Sequence, residues 1–178
     1  MSLLVGPERP AAEPWAYFIT FACYGTRSHG DECGSVDRRH NGWRTPYLSD
    51  NPDRLRYERK RMGRDAVTLC AAARDIVLAT ILSVSRHERW TVYAAHVRST
   101  LVHVVVSAPV KPEAVMGKLK AYSSRALNRS VGTETKRWSR HGSTVYLWDV
   151  HLMRRAVDYV VRGQGPAMSC YANAEADA

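Results

Sequence analysis

One stretch of twenty residues, Trp90 to Pro109 (WTVYAAHVRSTLVHVVVSAP), constrains the fold more than any other part of the chain. Two runs rich in β-branched and aromatic residues flank Ser99-Thr100, a pattern that predicts a β-hairpin with a two-residue turn. The second run, Leu101 to Val106, is apolar on both alternating faces except at His103. Such a strand is typical of the middle of a sheet that is covered on both sides.

A buried imidazole at position 103 needs a partner, which can be another side chain, a water or a metal ion. If the turn has two residues, Arg98 faces Leu101 and His96 faces His103. Directly opposed residues on one face of a sheet lie roughly 5 Å apart, so the two histidines could share a ligand. The alternative is a structural histidine that is satisfied within the core, and periodicity alone favours this alternative.

The remaining strand and helix signals are arranged around this hairpin. We predict a first strand over Trp15–Tyr24, a helix over Ala71–Arg89, a helix from Pro112, a short strand over Thr144–Trp148 and a last helix over Val150–Arg162. Residues 25–48 indicate a long loop and residues 50–63 a basic helix. This order predicts the α+β class, with helices packed on an antiparallel sheet of the ferredoxin-like type.

Apolar residues at helical spacing predict which side of each helix faces the core. The predicted core-facing residues are Val77, Ile81 and Val84 in the helix over Ala71–Arg89, Val115, Met116, Leu119, Tyr122 and Ala126 in the helix from Pro112, and Leu152, Met153, Ala156, Val157, Val160 and Val161 in the helix over Val150–Arg162. We expect one folded domain over residues 15–171, preceded by a flexible lead-in (1–14) and followed by a tail (172–178).

The charge balance points to a polyanionic partner. The formal net charge is +9 and the isoelectric point is about 9.7, values that favour nucleic acid over an anionic membrane or a mere effect on solubility. Between positions 111 and 140 there are eight basic residues against two acidic ones. From this segment we predict a DNA-binding set, namely Lys118, Lys120, Arg125, Arg129, Lys136, Arg137 and Arg140.

Cysteine usage and hydropathy predict a soluble, cytoplasmic protein. The four cysteines are scattered without a C-x-x-C pair, and the sequence carries no secretory signal, so we expect free thiols. No apolar run approaches the roughly 20 residues that a transmembrane helix needs.

Four blocks of sequence, HVRSTLVHVVVSAP, KLKAYSSRALN, YLWD and DYVVRGQGP, resemble the single-tyrosine HUH transposases, which include the REP-associated tyrosine transposases. That family carries a His-hydrophobic-His triplet on a central strand. The matching triplet here is Leu101-Val102-His103, so a leucine stands where the family has its first histidine.

The resemblance implies an activity and its residues. Tyr159 would be the nucleophile that cleaves and rejoins single-stranded or hairpin DNA through a 5′-phosphotyrosine intermediate, as in DNA transposition. His103 and Gln164 would be ligands of Mg²⁺ or Mn²⁺, and a homodimer is one assembly that relatives adopt. From the hairpin geometry, His96 could replace the missing histidine as a ligand.

Three alternatives stay open at the level of sequence. The chain could be an inactive or domesticated nucleic-acid-binding protein on the same fold. Tyr122 could be a rival nucleophile because it borders the basic segment, although its place in the apolar stripe favours packing. An RNA-binding module is disfavoured because no aromatic strand of the RNP type is present.

Overall fold

The computed structural model describes residues 13–26, 60, 63–132 and 135–174. Within these ranges, five strands and three helices follow one another along the chain. They are β1 (Ala16–Cys23), α1 (Ala71–His87), β2 (Thr91–Val97), β3 (Leu101–Ser107), α2 (Pro112–Val131), β4 (Trp138–Leu147), α3 (Val150–Arg162) and β5 (Ser169–Ala172). The predicted long loop and the predicted basic helix between residues 25 and 63 lie mostly outside the described residues.

The strands form one antiparallel sheet in the order β4-β1-β3-β2-β5. The elements from β1 to β4 give the β-α-β-β-α-β succession of a ferredoxin-like fold, with β1 and β3 at the centre. Helix α3 and strand β5 extend this core, and β5 pairs with the outer edge of β2. The predicted α+β class and antiparallel sheet are confirmed.

Two helical layers cover the two faces of the sheet. On one face, α1 and α2 bury Ile81 and Leu119 against Ile19 and Val104. On the other face, α3 packs against a smaller cluster. This second cluster is formed by Ala16, Ala94, Val105, Leu147, Met153, Ala156, Val157 and Val160. The continuous apolar sequence of β3 follows from this arrangement, because successive side chains face opposite layers and both layers bury them.

The hairpin between β2 and β3 has the predicted register. His96 is paired with His103 across the two strands, and the backbone N–H of Arg98 donates to the Leu101 carbonyl at 2.8 Å. The alternation of β3 puts His103 on the same face as Val105, which is the face that α3 covers.

Strand β4 differs from the sequence prediction. It begins at Trp138 rather than Thr144, so Ser139 to Ser143, which precede the predicted strand, are part of the sheet. Gly142 permits this, since a Cβ there would lie 2.5 Å from the Thr20 carbonyl oxygen and 2.5 Å from Met116 Sδ. The polar composition of this half of β4 reflects an edge strand that only β1 pairs within the described sheet.

Two further predictions need correction. Strand β5 was not predicted, because four residues (SCYA) are too short to show a period of two. The buried face of α2 comprises Val115, Met116, Leu119, Ser123 and Leu127, while Tyr122 is 41% exposed and Ala126 is only partly buried. Leu127, eight residues after Leu119, takes the position in the stripe that we assigned to Ala126.

The core-facing stripes of α1 and α3 are confirmed. Val77, Ile81 and Val84 are buried in α1, and α3 buries Met153, Ala156, Val157 and Val160 with Leu152 and Val161 at its margin. No helix in the described ranges is long and apolar enough to cross a membrane. Cys23, Cys70 and Cys170 are free thiols, as expected.

Candidate active site

Tyr159 and His103 meet on the sheet face that α3 covers. The Tyr159 ring lies edge-on to the His103 ring, with 6.0 Å between centroids, and edge-on to the Phe18 ring at 5.9 Å. Phe18 in turn stacks on His103 at 5.6 Å. Helix α3, β1 and β3 therefore each contribute one ring to a cluster around the predicted nucleophile.

His103 is fixed by its neighbour on β1. It is 4% exposed, and its Nδ1 is hydrogen-bonded to Thr20 Oγ1 at 2.9 Å. The pairing of Thr20 with His103 across β1 and β3 gives this contact directly. Thr20 and Phe18 were not singled out from the sequence, since only the register between β1 and β3 reveals that they border His103.

Helix α3 presents Tyr159 at the border between core and solvent. The helix begins after Asp149, whose Oδ1 accepts a hydrogen bond from the Leu152 amide at 2.8 Å, a standard N-cap. Tyr159 is 46% exposed, whereas its neighbour Val160 is fully buried. The tyrosine thus keeps its ring on the cluster and has access to solvent.

The turn after α3 is packed closely against Tyr159. The amide of Gly163 donates to the Tyr159 carbonyl at 2.9 Å. A Cβ at position 163 would lie 2.8 Å from Tyr159 Cδ2 and 2.8 Å from the Tyr159 carbonyl oxygen. Because real Cβ atoms do not approach so closely, only glycine fits here without moving the tyrosine.

His96 has a different environment from the histidine that it faces. Its side chain is fully buried, and Nδ1 donates to the Val160 carbonyl at 3.0 Å while Nε2 accepts from the Met168 amide at 3.1 Å. Burial lowers the pKa of His96, and the nearby Arg98 lowers it further, against the opposing effect of the Val160 carbonyl.

The residues present do not fit a three-ligand metal site. Both ring nitrogens of His96 are engaged, and Leu101 has no donor atom. His103 and Gln164 would supply one imidazole and one carboxamide. Gln164 lies in the turn that follows α3, and its Nε2 is buried with no hydrogen-bonding partner among the described residues. Among the described residues, no three His, Cys, Asp or Glu side chains cluster as a metal site would require.

The outer face of α3 is basic around Tyr159. Its exposed positions are His151, Arg154, Arg155, Asp158, Tyr159 and Arg162. The single carboxylate, Asp158, forms an ion pair with Arg162 at 2.7 Å. Arg155, one turn before Tyr159, contributes positive charge on the solvent side of the predicted nucleophile.

The predicted DNA-binding set lies on the other side of the sheet, and its members differ in how far they are exposed to solvent. Lys120 donates to the carbonyls of Ser139 and His141 at 3.0 and 3.1 Å, and burial lowers its pKa to about 8. Arg137 is 8% exposed and donates twice to Asn128 Oδ1. The charged groups of these two residues are therefore engaged by neighbouring parts of the fold, Arg137 by Asn128 on α2 and Lys120 by carbonyls of β4, which leaves them less available to DNA than the rest of the set.

The other five members remain accessible to a ligand. Arg129, Arg140 and Lys136 are exposed, and Lys118 is bound to Glu88 at 2.7 Å. The Arg125 guanidinium lies 4.8 Å from the centroid of the Tyr122 ring. Tyr122 is therefore a surface residue, but it is on α2 and apart from the His103 cluster on the opposite face of the sheet.

Comparison with known proteins gives structural likeness only. No protein-family model and no curated protein matches the sequence. The structure of a REP-associated tyrosine transposase bound to a REP hairpin is 12% identical, with a TM-score of 0.47 over 90% of this chain and 72% of that chain. A proposed transposase from Deinococcus radiodurans R1 is also 12% identical, with a TM-score of 0.47 over 88% of this chain and 95% of that chain. Likenesses of this extent do not assign the chain to a family.

Proposed function

We propose that the protein binds single-stranded or hairpin DNA and cleaves and rejoins it with Tyr159 as the nucleophile. The observation that carries this proposal is the contact between Tyr159 and His103. In the sequence resemblance, Tyr159 matches the nucleophile of the transposases and His103 matches the last histidine of their triplet. The centroids of the two rings lie 6.0 Å apart. The Tyr159 side chain is also open to solvent, as a nucleophile for a large substrate must be.

The proposed step is a transesterification in which Tyr159 Oη attacks a backbone phosphorus atom. A bond forms between the phosphorus and Oη while the bond from the phosphorus to the 3′ oxygen breaks. The phenol proton passes to solvent, and the departing 3′ oxygen takes a proton from solvent. The products are a 5′-phosphotyrosine and a free 3′-hydroxyl, which can attack the adduct in reverse and rejoin the strand.

The residues around Tyr159 would position and neutralise the substrate. Arg155 would attract the phosphate on the outer side of α3, while Phe18 and His103 hold the tyrosine ring from the inner side. Gly163 would keep the last turn close enough for this packing. Protein side chains and solvent supply every group in this step, because the donor set does not fit a metal ion.

A second candidate follows from that same donor set. With Leu101 in place of a ligand and both nitrogens of His96 occupied, the chain could bind DNA without cleaving it. The basic surfaces on α2 and α3 serve either candidate. The two candidates differ in whether a covalent adduct forms.

The test is a search for that adduct on a labelled single-stranded hairpin, with the full chain and with Mn²⁺ either added or omitted. We expect wild type to form a covalent complex and Tyr159→Phe to form none, with DNA affinity unchanged because only one exposed hydroxyl is lost. Tyr122→Phe is the matched control and should leave the adduct intact.

The presence of the adduct decides between the two candidates, and its location tests the assignment of Tyr159. Peptide mass spectrometry should identify Tyr159 as the modified residue, and an adduct on Tyr122 would refute the assignment. DNA binding without any adduct would favour the second candidate, and absence of DNA binding at low salt would exclude both.

A further inference from the structure

We propose that His96 is a positioning residue that clamps the end of α3 and the segment after it to the sheet, and so holds Tyr159 against His103. The inference rests on the proposed function, since it assigns His96 a part in presenting the nucleophile. It differs from the sequence expectation that His96 is a substitute metal ligand.

The two hydrogen bonds of His96 fix one chemical form of its ring. The Val160 carbonyl can only accept, so Nδ1 must carry the proton, and the Met168 amide can only donate, so Nε2 must offer its lone pair. A fully buried imidazole in this neutral form satisfies both backbone groups and leaves no lone pair for a metal ion.

The bond to Val160 caps α3 from the sheet. The carbonyls in the last turn of a helix lack partners within the helix, and a buried one must find a partner elsewhere. His96 supplies that partner, while the Val160 side chain is fully buried in the cluster beneath the helix. Rotation of the last turn would break this bond and would expose Val160, so Tyr159, one residue earlier, keeps its orientation.

The bond to Met168 holds the returning chain. Directly after Met168, β5 pairs with β2, where His96 faces Cys170 and Val97 faces Ser169. Arg98 on the same side donates to the Pro166 carbonyl at 3.1 Å. The segment 163–168 is thereby fastened between α3 and β5, and it includes Gly163, which packs on Tyr159.

The charged surroundings of His96 agree with a clamp in the neutral form. Arg98, directly after β2, is the charged neighbour whose cation acts on it, and the opposed groups across the sheet are His103 on β3 and Cys170 on β5. The cation at Arg98 and burial both disfavour an imidazolium at this position.

Three substitutions separate the two bonds. His96→Asn places an amide donor near the position of Nδ1, His96→Gln places an amide oxygen near the position of Nε2, and His96→Leu provides neither. His87→Leu, at the exposed end of α1, is the matched control. Should His96→Leu fail to fold, the two amide variants still carry the test, since each retains one bond.

Two measurements read the clamp without any activity. We expect the Met168 amide to exchange its hydrogen at least about tenfold faster in His96→Leu and His96→Asn than in wild type or His96→Gln, because one buried hydrogen bond is lost. We also expect the nuclear Overhauser contact between the Tyr159 and His103 rings to weaken in His96→Leu and to be partly restored in His96→Asn.

The chemical readouts should separate positioning from binding. Adduct formation should fall at least about tenfold in His96→Leu, with DNA affinity within about twofold of wild type and partial recovery in His96→Asn. Affinity for Mn²⁺ alone should be unchanged in every variant.

Each contrary result has its own meaning. Weaker Mn²⁺ binding in His96→Asn would make His96 a ligand and overturn the clamp, as would unchanged exchange at Met168 or an unchanged Tyr159–His103 contact in His96→Leu. If wild type forms no adduct, the proposed strand transfer fails, while the exchange and ring-contact measurements still decide whether His96 positions Tyr159.

Discussion

Leu101 lies two residues before His103 on β3, so both side chains point to the face that α3 covers. We predict that Leu101→His tightens Mn²⁺ binding and raises DNA nicking by at least about tenfold, since it adds one donor beside His103. Calorimetric titration with Mn²⁺ and a nicking assay would measure the two effects. Leu101→Ile, which keeps an apolar side chain of equal size, should change neither.

An unchanged Mn²⁺ affinity in Leu101→His would mean that this face cannot be made into a metal site by one ligand. The chain would then fit the second candidate, a DNA-binding protein without cleavage. Strong nicking by wild type that is lost in His96→Ala without any change at Met168 would instead restore His96 as a ligand.

Gly163 gives a second prediction at the scale of one residue. Gly163→Ala should lower adduct formation and destabilise the fold by about 1–3 kcal/mol, because the added methyl group would overlap Tyr159. Thermal unfolding and the adduct assay would measure this. In Gly117→Ala, on the exposed side of α2, the methyl group meets no atom within 4 Å, so that control should be neutral or stabilising by up to about 1 kcal/mol.

The opposed histidines mark the limit of what the sequence could predict at this scale. Their pairing follows from a two-residue turn, and that register was predictable. Their partners come from elsewhere in the chain: Thr20 from β1 for His103, and Val160 and Met168 from α3 and beyond for His96. No local sequence pattern indicates such contacts, so only the tertiary structure could suggest the proposed role of His96.

At the scale of elements, the packing of α2 on β4 contains a strongly perturbed lysine. Lys120 is ordinarily protonated up to about pH 10.5, but burial between Phe21 and the β4 carbonyls lowers its pKa to about 8. Between these values the unfolded chain binds more protons than the folded one, so this residue makes stability rise with pH from about 8 to about 10.5.

We therefore predict that Lys120→Met flattens the stability curve over that range. Denaturant unfolding at pH 7, 8, 9 and 10 would measure the slope. Cys23 acts in the opposite sense, because burial raises the pKa of its thiol to about 12 and stability falls above about pH 9 as the unfolded thiol ionises. Comparing Lys120→Met with wild type cancels this contribution, and equal slopes would contradict the prediction.

Helices were more predictable than strands in this chain. The stripes of α1 and α3 repeat at 3.6 residues and lie over dry faces, so their positions and buried sides followed from the sequence. Strand β4 carries Arg140, His141 and Gly142 in its first half, and only its pairing with β1 makes that half a strand. Tyr122 was misplaced because an aromatic residue at the margin of a stripe looks apolar, although its ring packs under Arg125 at the surface.

At the scale of the whole molecule, a formal charge of +9 predicts salt-dependent binding to DNA. Each basic residue that contacts a phosphate of a single strand should contribute about 0.7 to the slope of log affinity against log salt. We predict that Arg129→Ala and Arg155→Ala each reduce affinity and lower this slope. Fluorescence anisotropy over a series of salt concentrations would measure both quantities.

Arg137→Ala is the matched control for charge, because it removes one positive charge from the interior. It should leave the salt slope unchanged and should destabilise the fold by about 1–3 kcal/mol, since Asn128 Oδ1 loses both of its donors. An effect on the slope equal to that of Arg129→Ala would show that net charge alone, and not surface position, governs binding.

The fastening of α3 has a consequence for how such a protein could change over generations. The helix is secured by Asp149 at its start, by His96 near its end and by β5 beyond it, whereas Tyr159 and Leu101 are partly open to solvent. The contacts that hold the helix in place are thus made by residues other than Tyr159, the proposed nucleophile. One substitution at Tyr159 would therefore remove the proposed reactivity and leave the fold sound, so a cleaving protein and a non-cleaving one of this shape can lie one mutation apart.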